Sequence, residues 1–198
     1  MDSRSHYFDE DPRTPSMKST VDLVLPDLTV TLATDRGVFS PRRVDSGTKY
    51  LLLNAPSPKI TVQSALDLGC GYGPIARTLV HRFPDAEIWA TDVNSRALSL
   101  TQQNVGHLGV SVLHPDSIND TIRFDLIWSN PPIRIGKSNL YDMLDTWLRR
   151  LTEEGEAILV VQKHLGADSL SQWLEKTGYR IQRLSSKSGY RLLKVTLQ

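Results

Sequence analysis

The 198-residue chain has one cysteine, no repeat, no apolar run long enough for a bilayer and almost no net charge. Each shortage excludes something. Cys70 has no internal partner, so a disulfide scaffold is excluded and a reducing, cytoplasmic setting is expected. Five scattered histidines show no ligand spacing to it, and no metal is expected. A membrane span takes about 20 apolar residues, and the leading "MDSRSHYFDEDPRTPSMKS" has no signal-peptide core. No membrane partner follows, and residues 1–16 read as a flexible polar arm. A net charge of +1 provides no overall attraction to nucleic acid, so any such contact must come from local patches. Without internal repeats, a solenoid or propeller is ruled out as well.

What is present is an ordinary globular composition, 39% hydrophobic and 23% charged, enough for one sizeable core in a chain expected to be monomeric. "VDLVLPDLTVTLATDRGVFS" alternates apolar and polar residues around Pro26-Asp27 and Asp35-Arg36-Gly37, which predicts a small antiparallel strand group. "DSGTKYLLLNA" predicts a short helix, and "PSPK" closes this β-rich extension, residues 17–58. Over 59–198 strands alternate with helices. "ALDLG", "EIWATD", "VSVLH", "FDLIWSN" and "AILVVQK" read as strands; "GPIARTLVHRF", "SRALSLTQQNVGHLG", "NLYDMLDTWLRRL" and "DSLSQWLEKTG" read as helices. That alternation predicts an α/β fold, a parallel sheet with helices on both faces. "YRIQRLSS" and "YRLLKVTL" are separated only by "KSG", too short for a crossover, so they form an antiparallel hairpin. The expected sheet is seven-stranded, mostly parallel and Rossmann-like, finished by a reversed edge strand, and in this it resembles the sheet of class I methyltransferases.

Two constellations carry chemistry. "DLGCGYG" sets Asp67, Gly69, Cys70, Gly71 and Gly73 at the end of the first parallel strand, where glycines allow close ligand approach and the next helix offers free N–H groups to something anionic or strongly polar. Asp92, followed by Val93, ends the next strand about 20 residues on, placed for ribose hydroxyls. A dinucleotide fingerprint from Gly69 needs glycine at 74, where this chain has Pro74, which counts against a nicotinamide enzyme. Asp116 and Ser117 follow the third strand at the same edge, Asp116 as an acceptor for an adenine amine. Simpler roles stand beside these: Asp67 as a helix cap, Asn94 as an N-cap after Asp92, Asp116 as a solvated turn residue.

"SNPPI" is the second constellation. An exocyclic base amine is a poor nucleophile because its lone pair is delocalised, and acceptors aimed at its hydrogens favour the pyramidal nitrogen and the positive charge that grows on methylation. Asn130 can give its side-chain carbonyl and Pro131 its backbone carbonyl, both held by ring constraints. Arg134 and Lys137 follow at once, and "SPRRVDSGTK" adds Arg42, Arg43 and Lys49, all suited to RNA phosphates. The basic residues of 163–198 read as solvated faces of a helix and an edge hairpin, and Trp128, Trp147 and Trp173 read as core.

On these residues the chain resembles N-directed methyltransferases with an (N/D/S)PP(Y/F/W/I) motif. More closely it resembles the RsmC-like methyltransferase small-domain family, which includes 16S ribosomal RNA guanine-N2 methyltransferases, through "HYF", "TDRGVFSPRRVDSGTKYLL", "DLGCGYGPIA", "TDVNSRAL", "SNPPIRIGK" and the final hairpin. The resemblance implies S-adenosylmethionine held by Asp67, Gly69, Gly71, Asp92 and Asp116, and an amine site of Asn130, Pro131, Pro132 and Ile133. It further implies that Phe39, Asp45 and Thr48 close over the cofactor, forming the substrate-binding group with Arg134 and Lys137, and that ribosomal RNA or the small ribosomal subunit is the partner. Adenine-modifying relatives carry an aromatic residue at the position of Ile133, which favours guanine here. Two-domain relatives have a second copy of the domain, for which 198 residues leave no room. Adenine N6 or a protein glutamine amide as acceptor, and a non-catalytic RNA-binding or ribosome-assembly module, are the alternatives.

Overall fold

A computed structural model describes residues 14–198. The expected amino-terminal arm, with "HYF", lies outside the described residues except at 14–16. Ser16 Oγ donates to Asp35 at 2.5 Å, and the Met17 N–H donates to the same carboxylate. β1 (Ser19–Val24) and β2 (Thr29–Thr34) then pair antiparallel, from Ser19 opposite Thr34 to Val24 opposite Thr29. Alternation along these strands turns Val21, Leu23 and Leu32 inward, where all three are buried.

The following elements are α1 (Ser46–Asn54), β3 (Ser64–Leu68), α2 (Pro74–Arg82), β4 (Glu87–Thr91), α3 (Ser95–Val105), β5 (Ser111–Leu113), β6 (Phe124–Ser129), α4 (Lys137–Leu148), β7 (Leu151–Gln162), α5 (Ala167–Lys176), β8 (Tyr179–Lys187) and β9 (Tyr190–Leu197). Seven strands form one sheet in the order β5-β4-β3-β6-β7-β9-β8. β3 to β7 are mutually parallel, and β9 runs antiparallel to β7 and β8. The expected α/β architecture is thus present, but the reversed strand is not at the edge. β9 buries Leu192, Leu193 and Val195 and needs cover on both faces, whereas β8 buries only Tyr179 and takes the rim.

Successive strand residues feed two cores. Ala65, Ile88, Leu126, Trp128, Ile158 and Val160 pack with α1, α2, α3 and the β1–β2 pair, while Leu66, Phe124, Ile127, Leu159 and Val161 pack with α4 and α5. Each fully buried leucine in these layers is worth about 1.5–3 kcal/mol. The chain runs from β3 outward to β5, then returns through β6 to build the other half. The sheet order therefore reverses between β3 and β6, and a crevice opens outside their carboxyl ends.

Candidate active site

β3 leaves the sheet at Leu68 into the glycine turn. Gly69 (φ 78°) and Gly71 (φ 59°) lie in the left-handed region, yet a Cβ on either would meet no atom within 4 Å. The backbone conformation demands glycine, and the space beside it is open for a ligand. Gly69 N and Cys70 N both donate to Thr91 O at 2.9 Å, fastening the turn to the end of β4.

Asp67 lies beneath this turn, fully buried. Its Oδ2 accepts the Ala76 N–H at 2.8 Å, while Arg77 N bonds Gly73 O and Pro74 brings no N–H. The start of α2 is therefore largely satisfied by the protein, which corrects the expectation of free donors waiting for an anion. Asp67 itself caps the helix and stays off the cavity wall. Gly73 is also off the wall, set against Thr101, and Cys70 is buried with Sγ accepting from the Thr101 hydroxyl at 3.4 Å.

Asp67 Oδ1 has no hydrogen-bond partner among the described residues, and burial, reinforced by the charge of Asp92, pushes the carboxyl up to about 8. Between the ordinary value of 3.8 and about 8 the folded chain holds a proton that the unfolded chain has released, so stability falls as pH rises through this window. Each unit costs up to about 1.4 kcal/mol from this group. Asp67→Asn, neutral throughout, is expected to flatten that decline and to raise Tm at pH 8 above wild type. An unchanged pH slope in thermal melts would count against a protonated Asp67.

Asp92 stands on the cavity wall, its Oδ2 accepting Gly71 N at 2.9 Å and its Oδ1 accepting Asn94 N at 3.0 Å. Burial pushes its carboxyl upward, and the N–H groups of Asn94, Gly71 and Val93 oppose the shift. Val93 also lines the cavity, while Asn94 caps α3 through Arg96 N and Ala97 N. Asp116 and Ser117 are not brought in. Both are exposed, Asp116 faces His114 at 3.5 Å, and Pro115 reaches the wall in their place.

The proline corner is where distant segments meet. Ser129 Oγ donates to Leu68 O at 2.7 Å, locking the exit of β6 to that of β3. Asn130 Nδ2 donates to Asp45 Oδ2 at 2.9 Å and to Thr48 Oγ1 at 3.0 Å. With both amide hydrogens engaged, Oδ1 is left without a protein hydrogen bond among the described residues, on a side chain that lines the cavity. "DSGT" explains itself here: Asp45 caps α1 through Gly47 N and Thr48 N, Thr48 offers its hydroxyl, and Gly47 leaves the room. A Cβ on Gly47 would sit 2.8 Å from Tyr190 Cε1 and 2.9 Å from Asp45 Oδ2. Asp45 and Thr48 thus hold Asn130, a role different from closing over a cofactor.

The Pro131 carbonyl is less free than the sequence suggests. It accepts Ile133 N at 2.9 Å across Pro132 (φ −76°, ψ 77°), an inverse γ-turn. One lone pair is spent within the loop, so Asn130 Oδ1 is the principal unengaged acceptor. Pro131, Pro132, Ile133 and Arg134 line the cavity, as do Phe39 and Asp45; Lys137 is exposed at the start of α4 and does not.

A methyltransferase small domain model matches residues 29–194, from β2 to β9. The chain belongs to the methyltransferase small domain family. It is 34% identical over 195 residues to "Uncharacterized protein YbxB" of Bacillus subtilis, covering 96% of each. Over 136 residues it is 36% identical to Ribosomal RNA small subunit methyltransferase C of Pseudoalteromonas translucida, covering 65% of this chain and 39% of that one. The chain thus spans well under half of that ribosomal relative. Among solved structures, the Thermus thermophilus 16S rRNA N2 G1207 methyltransferase RsmC, in complex with AdoMet and guanosine, superposes with a TM-score of 0.72 at 24% identity, over 94% of this chain and 52% of that one. A ribosomal protein L11 methylase of Lactobacillus delbrueckii subsp. bulgaricus follows at 0.58 and 18%, over 81% and 88%. At these identities the superpositions speak for the fold.

In this methyltransferase small domain the cavity measures about 620 Å³, the size of a small-molecule site. Several wall residues escaped the sequence reading. Met143, Thr146 and Trp147 come from one face of α4, and Gln162 and Leu165 from the carboxyl end of β7 and the segment after it. The edge rule that located Asn130 would have found Gln162. Trp147 is both core and cavity floor, buried against Phe124 at 6.3 Å. Trp128 is core, and Trp173 stacks on Tyr141 at 4.2 Å. Among the described residues no helix is long and apolar enough to cross a membrane, and no group of three or more histidine, cysteine, aspartate or glutamate side chains could hold a metal.

Proposed function

We propose that this chain methylates the exocyclic amine of a nucleobase, guanine N2 of 16S ribosomal RNA, with S-adenosylmethionine as methyl donor. The residues fit that donor. Open space beside Gly69 and Gly71 admits it, Asp92 stands on the wall for ribose hydroxyls with Val93 alongside, and the largely satisfied start of α2 makes little demand for a pyrophosphate. When bound, S-adenosylmethionine supplies an electrophilic methyl on a sulfonium sulfur.

The observation that carries the proposal is the clamp on Asn130. Because Asp45 and Thr48 take both amide hydrogens, Oδ1 is preset to accept an amine N–H. Such an acceptor favours the pyramidal nitrogen and stabilises the charge growing there. Ile133 and Trp147 add an apolar surface for the base, and the cavity walls fix its approach. The methylated nitrogen is acidic and sheds its proton without a strong base. A ribosomal substrate implies a cytoplasmic enzyme.

Incubation with labelled S-adenosylmethionine and small ribosomal subunits from a strain lacking the protein tests the reading. Label is expected in N2-methylguanosine after nuclease digestion. Label in N6-methyladenosine would replace the guanine assignment. Label in protein, insensitive to ribonuclease, would overturn the RNA reading.

A further inference from the structure

The net charge of +1 conceals a segregation. Parallel strands end at the crevice, so the loops after β6 and β7 and the turn before β9 share one edge. The β8–β9 turn reaches this edge because β9 pairs antiparallel, with Tyr190 opposite Gln162. Lys163 N donates to Gly189 O at 2.8 Å, tying that turn to the segment whose Gln162 and Leu165 line the cavity. Lys163 and Lys187 therefore flank that tie at the crevice edge, Lys163 directly after Gln162 and Lys187 opposite Tyr190. Arg42 and Arg43 follow the wall residues Ser40 and Pro41, Arg134 is itself on the wall, and Lys137 begins the next helix.

None of these six cations has an ion pair among the described residues, and all but half-buried Lys163 are exposed. Two other basic groups of the tail are spent, Arg191 on Asp168 and Lys194 on Glu156. Of the carboxylates at the same edge, Asp92 and Asp116 follow β4 and β5 on the other side of β3, while Asp45 is engaged by Gly47 N, Thr48 N and Asn130 and Asp168 by Arg191. Glu87, Glu153 and Glu154 belong to the opposite ends of their strands.

We propose that the segment after β7 and the β8–β9 turn form a phosphate clamp, through Lys163 and Lys187, for the RNA strand flanking the target base. The strand crosses the β6–β7–β9 half of the mouth, facing Arg134 and the Arg42-Arg43 pair, while the acidic half is left to the cofactor. This rests on the RNA reading above and departs from the expectation that the tail's lysines are only solvated surface. Phosphate contacts of this kind position a strand without reading its sequence.

The test is binding of a naked 16S ribosomal RNA transcript by the full chain across a salt series. The Lys163→Gln/Lys187→Gln double variant is compared with wild type and with Lys59→Gln/Lys176→Gln, which removes two cations from the opposite edge. The clamp variant is expected to lose affinity by about 10-fold near 0.1 M salt and to lower the slope of log K against log salt by about 1.4, since each phosphate contact on a single strand contributes about 0.7. Binding of S-adenosylmethionine and Tm should stay at wild-type values in both variants. Wild-type affinity and slope in the clamp variant, or equal losses in both variants, would overturn the clamp and leave the RNA reading standing. Absence of wild-type binding to the transcript and to small ribosomal subunits alike would overturn both.

Discussion

Asn130→Ala is expected to lower kcat for methyl transfer by about 10²- to 10³-fold while the Kd for S-adenosylmethionine stays within a few-fold of wild type. The side chain is small and exposes one unengaged oxygen, so its removal takes away a preorganised acceptor and little cofactor contact. Asp45 acts through it and is a positioning residue. In Asp45→Ala the amide loses a partner 2.9 Å away and is free to turn its NH2 toward the amine, where it would repel the hydrogens it should accept. A kcat loss of about 10-fold is expected, with about 1 kcal/mol of stability from the lost α1 cap. Asp45→Asn keeps an oxygen for Asn130 Nδ2 and should restore most of kcat, which a purely structural defect would not predict. Steady-state kinetics on the three variants decide. Turnover unaffected by Asn130→Ala would place the accepting oxygen elsewhere.

Asp92→Ala should weaken S-adenosylmethionine binding by about 10²-fold, the scale of losing two hydrogen bonds to a carboxylate. The loss has two sources. A ribose would lose its acceptor, and Gly71 N and Asn94 N, now held at 2.9 and 3.0 Å, would lose theirs, so the turn would loosen where the donor must lie. Asp92→Asn retains one acceptor and should fall between. Calorimetric titration measures this directly, and a Kd for Asp92→Ala within twofold of wild type would remove Asp92 from the cofactor site. Read with Asn130→Ala, the pair separates binding from chemistry, because one variant changes Kd and the other kcat.

The sheet and its crevice were legible because they depend on local periodicity. Short apolar runs alternating with amphipathic stretches leave few arrangements besides a parallel sheet, and parallel strands deliver "DLGCGYG", Asp92 and "SNPPI" to one edge. The misreadings share another origin. Asp67 and Asp116 are both carboxylates near strand ends, alike in sequence, yet one is buried against Ala76 N and the other points to solvent. Lys163 and Lys194 lie in the same basic tail, yet one has no ion pair among the described residues and the other is spent on Glu156.

From the order of its residues alone the chain determined its α/β class, the glycine turn and the position of Asn130, since each follows from steric limits and repeat lengths within a few residues. Folding decided what those groups can do. The direction of the Asn130 amide depends on Asp45 and Thr48, 85 and 82 positions away. The remaining capacity of the Pro131 oxygen depends on how Pro132 turns, and the interior place of β9 on the apolar side chains it must bury. A side chain's orientation is set by whichever partner the packed structure brings within about 3 Å of it, and a linear pattern carries no such distances.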